Sequence, residues 1–165
     1  MLTEKISVDI LIDLRIRIHH GLSEMILFYH KLGPLIPIPI QYLAKNSYWL
    51  SDENIDEFLG IKLRKDTIIF KEISINNLKT LKTKLHYGLT EMILNYDDIT
   101  KLYSPIEYLV TFNKLSHEDL NLFLGYRLTR KIYSNIEKSI SQKQKKDATT
   151  VHTTKILSRN PLTAH

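Results

Sequence analysis

Apolar side chains recur along the start of the chain at steps of three and four: Leu11, Leu14, Ile18, Leu22, Met25, Tyr29 and Leu32. That spacing lines them up on one stripe of an α-helix, and it predicts a helix from about Thr3 to Lys31. The series returns as Leu78, Leu81, Leu85, Leu89, Met92, Tyr96 and Ile99. The first helix also carries Ile10, Ile12, Ile16, Ile26 and Leu27 off the stripe, so it is expected to be buried on more than one side. Gly21 and Gly88 interrupt the two stripes and admit two arrangements. Either each lies inside one long helix where another part of the chain approaches closely, or each ends a helix and Ser23 or Thr90 caps the next. The stripe keeps its phase across each glycine, which favours the continuous helix.

Punctuation residues divide the chain beyond each stripe. Gly33-Pro34 stops the first helix, and Pro37 and Pro39 keep the chain extended or turning. Ser104-Pro105-Ile106-Glu107 has a hydroxyl cap, a proline at the first helical position and a glutamate three residues after the cap, which starts a short helix. That helix is expected to end before Asn113, and its counterpart before Asn46. Ser51 and Ser116 then cap further short helices that close at Gly60 and Gly125. Ile61–Lys65 leads into Ile68–Phe70, a connection that can be locally extended. Beyond Gly125, Leu128, Ile132, Ile136 and Ile140 predict a last amphipathic helix to about Ser141. Gln142 to His165 is polar and without a sustained period, so a mobile tail is expected unless a partner holds it.

The two halves are also alike residue by residue. Residues 19–27, His-His-Gly-Leu-Ser-Glu-Met-Ile-Leu, differ at two of nine positions from residues 86–94, His-Tyr-Gly-Leu-Thr-Glu-Met-Ile-Leu. Downstream, Pro39-Ile-Gln-Tyr-Leu43 matches Pro105-Ile-Glu-Tyr-Leu109, and Leu50-Ser51 through Gly60 matches Leu115-Ser116 through Gly125. The spacing slips by one residue at each step, which puts the length changes in connections. The expectation is an all-α protein made by tandem duplication of one helical unit: a first repeat over 1–70, a second over 71–141 with the extra C-terminal helix, and a basic flexible tail over 142–165. Each unit holds a long helix and two short ones in a helix-turn-helix-like order, and the two pack pseudo-symmetrically.

Charge changes the picture once it is located. The chain carries 23 Lys and Arg against 18 Asp and Glu, a net +5. Residues 138–165 hold Lys138, Lys143, Lys145, Lys146, Lys155 and Arg159 against Asp147 alone, so the whole excess lies there and residues 1–137 balance. A basic face on the duplicated body must therefore come from local clustering. No apolar run approaches membrane-spanning length, and Met1 leads into Glu4 and Lys5 without a signal-peptide pattern, so a soluble cytoplasmic protein is expected, with no membrane partner.

Chemistry-bearing patterns are few. The absence of cysteine excludes disulfide scaffolds, thiolate zinc sites and cysteine nucleophiles. His20 and Glu24 are four apart, with His19 and His30 nearby, but His20 becomes Tyr87 and His30 becomes Asp97 in the second copy. A structural or surface role fits these histidines better than a metal site. Asp52-Glu53 and Asp97-Asp98 are sequence neighbours that point different ways on a helix, so capping or solvation accounts for them. With no glycine-rich phosphate loop and no nucleophile elbow, the reading is non-enzymatic, without metal or cofactor. Trp49, where the second copy has Lys114, is read as a hydrophobic staple for the following helix or as an interface anchor.

The remaining signal is two short helices joined by a tight turn, an arrangement that can set the second helix in the major groove of duplex DNA. Lys62, Arg64 and Lys65 follow the last short helix of the first copy, and Arg127, Arg130 and Lys131 follow that of the second. These six, with Lys143, Lys145 and Lys146 of the tail, are the candidate nucleic-acid-binding residues. Cations just beyond helix C-termini also suit the helix dipole, which is the structural reading of the same residues.

Lys101-Leu102, Glu107 and Leu115-Ser116 with its short apolar helix resemble the flagellar master regulator subunit FlhD. Gly21-Leu22-Ser23 with Tyr29 and Gly33, and Gly88-Leu89-Thr90 with Tyr96, are similar to the helix-turn-helix segment of its partner FlhC. Each resemblance covers under about 50 residues; the lack of cysteine departs from the zinc cluster of the FlhC family, and the duplication departs from both. The resemblance implies a bacterial DNA-binding transcription regulator in a multisubunit complex. The function expected is therefore a non-enzymatic DNA-binding regulator, the alternative being a protein–protein adaptor or assembly subunit that pairs with a partner or with itself.

Overall fold

The computed structural model describes residues 6–46, 48–62, 68–99 and 103–155, with side chains to residue 142 except at 98 and 99. Their order is α1 (Val8–Leu27), α2 (Tyr29–Leu32), β1 (Leu35–Pro37), α3 (Pro39–Lys45), α4 (Asp52–Leu59), β2 (Phe70–Glu72), α5 (Ile75–Leu94), α6 (Tyr96–Ile99), α7 (Pro105–Thr111), α8 (His117–Leu124) and α9 (Tyr126–Lys155). Among the described residues the only sheet is a two-stranded ribbon, so the protein is all-α in character. Leu2–Arg130 form one unit, and the chain from Lys131 onward, the later turns of α9, belongs to another.

Both long helices start on a serine. Ser7 accepts from the Ile10 N–H and Ser74 from the Asn77 N–H, each at the free N–H end of its helix. α1 buries Leu11, Leu14, Ile18, Leu22 and Met25, and α5 buries Leu78, Leu81, Leu85, Leu89 and Met92, which are the residues of the apolar stripes. Each helix runs unbroken through its glycine. A Cβ on Gly21 would stand 2.1 Å from Leu43 Cδ2, and one on Gly88 would stand 2.2 Å from Leu109 Cδ2. The glycines admit α3 and α7, and Ser23 and Thr90 do not cap new helices. Their hydroxyls instead donate back to the His19 and His86 carbonyls, both at 2.8 Å.

The first helix is shorter than Thr3–Lys31. It begins at Val8 and breaks at Phe28 (φ −96°, ψ 14°), after which α2 holds Tyr29. The break turns Tyr29 so that its hydroxyl donates to the Ile73 carbonyl at 2.7 Å, just ahead of α5. Tyr96, after the equivalent break at Asn95, donates to the Ile6 carbonyl just ahead of α1. These two clamps tie the end of each long helix to the start of the other, so α1 and α5 run antiparallel. The off-stripe apolar residues of α1 are not taken into the core: Ile16 and Leu27 are exposed, and Ile10, Ile12 and Ile26 are half-buried. The flank of α1 that meets α5 carries polar side chains, and only one side of α1 is fully covered.

Short helices begin and end where the punctuation residues predict. Ser51, Ser104 and Ser116 each form a reciprocal capping box, with Asn54, Glu107 and Asp119 respectively. Gly60 closes α4 in the left-handed conformation (φ 71°, ψ 8°), and α3 ends at Asn46. α7 ends at Phe112, with Asn113 beyond it at φ 59°. The extended stretches pair: Leu35 lies opposite Glu72, Ile36 opposite Lys71 and Pro37 opposite Phe70.

The short helices make their main contacts with short helices of the other half. α3 packs on α8 and α4 on α7, so each pairs with a helix from the other half of the chain. Gly60 at the end of α4 leaves room for Ser104 at the start of α7, and Gly125 at the end of α8 for Ile38 at the start of α3. Phe58 and Phe123, both fully buried, meet edge to face with ring centroids 6.0 Å apart. Each short helix of the helix-turn-helix-like order therefore has its main short-helix partner in the other half.

Candidate nucleic-acid interface

Arg127 and Arg130 are exposed and lie three residues apart on α9, on one face of the helix, and Lys131 is also exposed. The Arg130 guanidinium stands 5.6 Å from the centroid of the Tyr126 ring, whose π-face attracts the cation. Arg127 and Arg130 belong to the Leu2–Arg130 unit and Lys131 to the other. Two helix ends meet here, the C-terminus of α8 at Gly125 and the N-terminus of α9 at Tyr126, and their dipoles act on a cation in opposite senses. Local helix energetics thus do not account for the three bases.

Lys62 is exposed two residues beyond Gly60. Arg64 and Lys65 lie outside the described residues, so the first cluster is represented by Lys62 alone. Lys143, Lys145 and Lys146 fall within α9, which continues to Lys155 and not only to Ser141. Apolar periodicity marks where a helix packs, whereas Lys, Gln and Ala sustain a helix by propensity without a buried stripe. Over the span of α9 the bases are Arg127, Arg130, Lys131, Lys138, Lys143, Lys145, Lys146 and Lys155 and the acids Glu137 and Asp147, a net charge of +6.

The helices that hold the recognition position in the sequence have the opposite character. α4 presents exposed Asp52 and Glu53 and half-buried Asp56 and Glu57, while α8 presents exposed Glu118 and half-buried Asp119. Burial, then the nearby Glu53, pushes the Glu57 carboxyl above its ordinary value. For Asp119 burial acts upward, but hydrogen bonds from Lys84 and from the Ser116 backbone and hydroxyl outweigh it and hold the carboxyl below its ordinary value. Carboxylates on these surfaces repel a phosphate backbone. Positive charge in this protein is concentrated on α9.

The histidines fall in two places. His20 stacks on Trp49 (centroids 6.2 Å, interplanar angle 16°), and Trp49 in turn lies over Gly21. Lys114 fills the same position over Gly88, where it pairs with Glu91 and stands 5.7 Å from the Tyr87 ring. Trp49 is half-buried against the long helix. His19 faces His86 across the α1–α5 seam, with ring centroids 4.5 Å apart. On one side Arg15 donates to the Thr90 hydroxyl at 3.0 Å, and on the other Lys82 donates to the Ser23 hydroxyl at 3.4 Å. This seam was legible as residues 67 apart, Arg15 with Lys82, His19 with His86 and Ser23 with Thr90, but their meeting depends on the antiparallel crossing.

No described helix is long and apolar enough to cross a membrane, and among the described residues no three His, Asp or Glu side chains converge as a metal site would require. No family model, curated protein sequence or solved structure matches the chain.

Proposed function

We propose that this chain is a tandem duplication that acts as a non-enzymatic DNA-binding transcription regulator in the cytoplasm and holds duplex DNA chiefly through α9. The observation that carries the reading is the exposed Arg127 and Arg130 at the start of a helix whose span has a net charge of +6. A basic helix of this kind can follow phosphates or enter a major groove. Duplication is supported by the near-identical residues 19–27 and 86–94 and by counterparts that meet in pairs, His19 with His86 and Phe58 with Phe123. The resemblance to the flagellar regulators adds work in a multisubunit complex, with no cofactor.

Fluorescence anisotropy on a random duplex at two salt concentrations tests this. Binding should weaken steeply with salt, and replacing Arg127, Arg130 and Lys131 by Gln should flatten the log–log slope by about three. Absence of binding at low salt, or a slope the triple variant does not change, removes the proposal.

A second reading, a protein–protein adaptor, is favoured by a different observation. Leu27 and Leu94 are about three-quarters exposed at equivalent ends of α1 and α5, and α4 is acidic. An adaptor should retain its partner, or its self-association by light scattering, after Lys143, Lys145 and Lys146 are changed to Gln. DNA binding should weaken under the same changes.

A further inference from the structure

The α1–α5 seam is built from three polar layers in place of the leucines that fill the core beside it. Arg15 meets Thr90, His19 meets His86, and Ser23 meets Lys82. The two imidazoles are therefore in ring contact between two permanent cations. His19 Nδ1, His86 Nδ1 and Arg15 Nε are all buried, and none has a hydrogen-bond partner. A neutral imidazole tolerates this with its proton on Nε2, since its buried Nδ1 is then only an unused acceptor. Protonation would place an N–H on that buried nitrogen with nothing to receive it.

We propose that the His19–His86 pair makes the α1–α5 crossing a proton-sensitive joint, closed while both rings are neutral and loosened when acid charges them.

The surroundings offer a proton no compensation. Burial, then His86, Lys82, His20 and Arg15, hold the His19 imidazole below its ordinary value, and burial, then Arg15 and Lys82, do the same for His86. Of the carboxylates on the two helices, Glu91 pairs with Lys114 and Asp13 with Arg17, and Asp9 and Glu24 are not among the groups acting on either ring. α3 and α7, which pack on the long helices, bring Tyr42 and Lys45 and Glu107 and Tyr108, and none of these four is among the groups acting on either ring. From the breaks at the helix ends, α2 brings Tyr29, His30 and Lys31, and α6 brings Tyr96 and Asp97, which likewise do not act on the pair. Folded rings that hold fewer protons than unfolded ones add stability that is complete above about pH 6.5 and is lost as the pH falls through that value. Carboxylate titration lies lower, so the two ranges separate.

The test uses the full chain. In ring-proton NMR titration both imidazoles should have midpoints below about 6.5, and changing Arg15 and Lys82 to Gln should raise them. The melting temperature should fall between about pH 7.5 and about pH 5.5, and the H19Q/H86Q variant should lose less than about half as much over that interval. Midpoints at or above about 6.5, or a double variant whose loss equals that of the unchanged chain, overturn the proposal. The titration of the unchanged chain decides the matter if the variant does not fold.

Discussion

Gly21 and Gly88 show how single residues set the spacing of this molecule. Helix propensity alone would favour alanine at either position by about 1 kcal/mol. Leu43 and Leu109, both fully buried, nonetheless sit where the methyl group would go. Overpacking of this kind costs about 1–3 kcal/mol, so Gly21→Ala and Gly88→Ala should each be destabilising, by up to about 2 kcal/mol after the propensity gain. Urea denaturation measures this, and a more stable variant would contradict the close approach. The two glycines were visible as interruptions of an apolar stripe, but the sequence alone left open whether they break or admit. Trp49 was harder to place. Its counterpart Lys114 is chemically unlike it, and only the fold reveals that both side chains cover a glycine on a long helix.

Elements divide into those announced by local signals and those that depend on contacts. The caps at Ser51, Ser104 and Ser116 were legible because a hydroxyl followed three residues later by a carboxylate or amide satisfies free helix N–H groups wherever it occurs. Ser104→Ala should cost about 1 kcal/mol in denaturation experiments, more than the same change at exposed Ser51, because Ser104 is buried. No local signal marks the breaks at Phe28 and Asn95, which serve the distant carbonyls that Tyr29 and Tyr96 reach. The side chains of α4 and α8 are held by a different distant contact. Phe58→Ala or Phe123→Ala opens the centre where these helices meet and should cost about 3–5 kcal/mol. The Lys84–Asp119 pair at 2.8 Å joins α5 to α8 at the surface, with Lys84 nearly half exposed. Lys84→Met should therefore change stability by less than about 1 kcal/mol at neutral pH. What that pair adds is present above the ordinary carboxylate range and is lost as the pH falls below it, because the Asp119 carboxyl is held low in the fold.

At the scale of the molecule, the crosswise pairing of α3 with α8 and α4 with α7 leaves neither half with a complete core. A fragment of residues 1–70 is expected to be unfolded as a monomer, and to gain helix only if a second copy supplies the missing partners. Circular dichroism with light scattering checks this, and a stable helical monomer would show that the exchange is dispensable. The candidate interface was partly legible for the same reason. Charge counts place the basic excess toward the C-terminus, but only the fold shows that Asp52, Glu53 and Glu118 are exposed on α4 and α8 and that Arg127 and Arg130 are exposed on α9. Sequence by itself determined the apolar stripes of the long helices, the caps of the short ones and the residue-by-residue likeness of the two halves, because periodicity and capping act over a few neighbouring residues. The tertiary structure alone decided that α1 and α5 run antiparallel, that the short helices exchange partners and that His19 meets His86. Those outcomes turn on which surfaces exclude water together, and residues 67 apart in the chain carry no local mark of that choice.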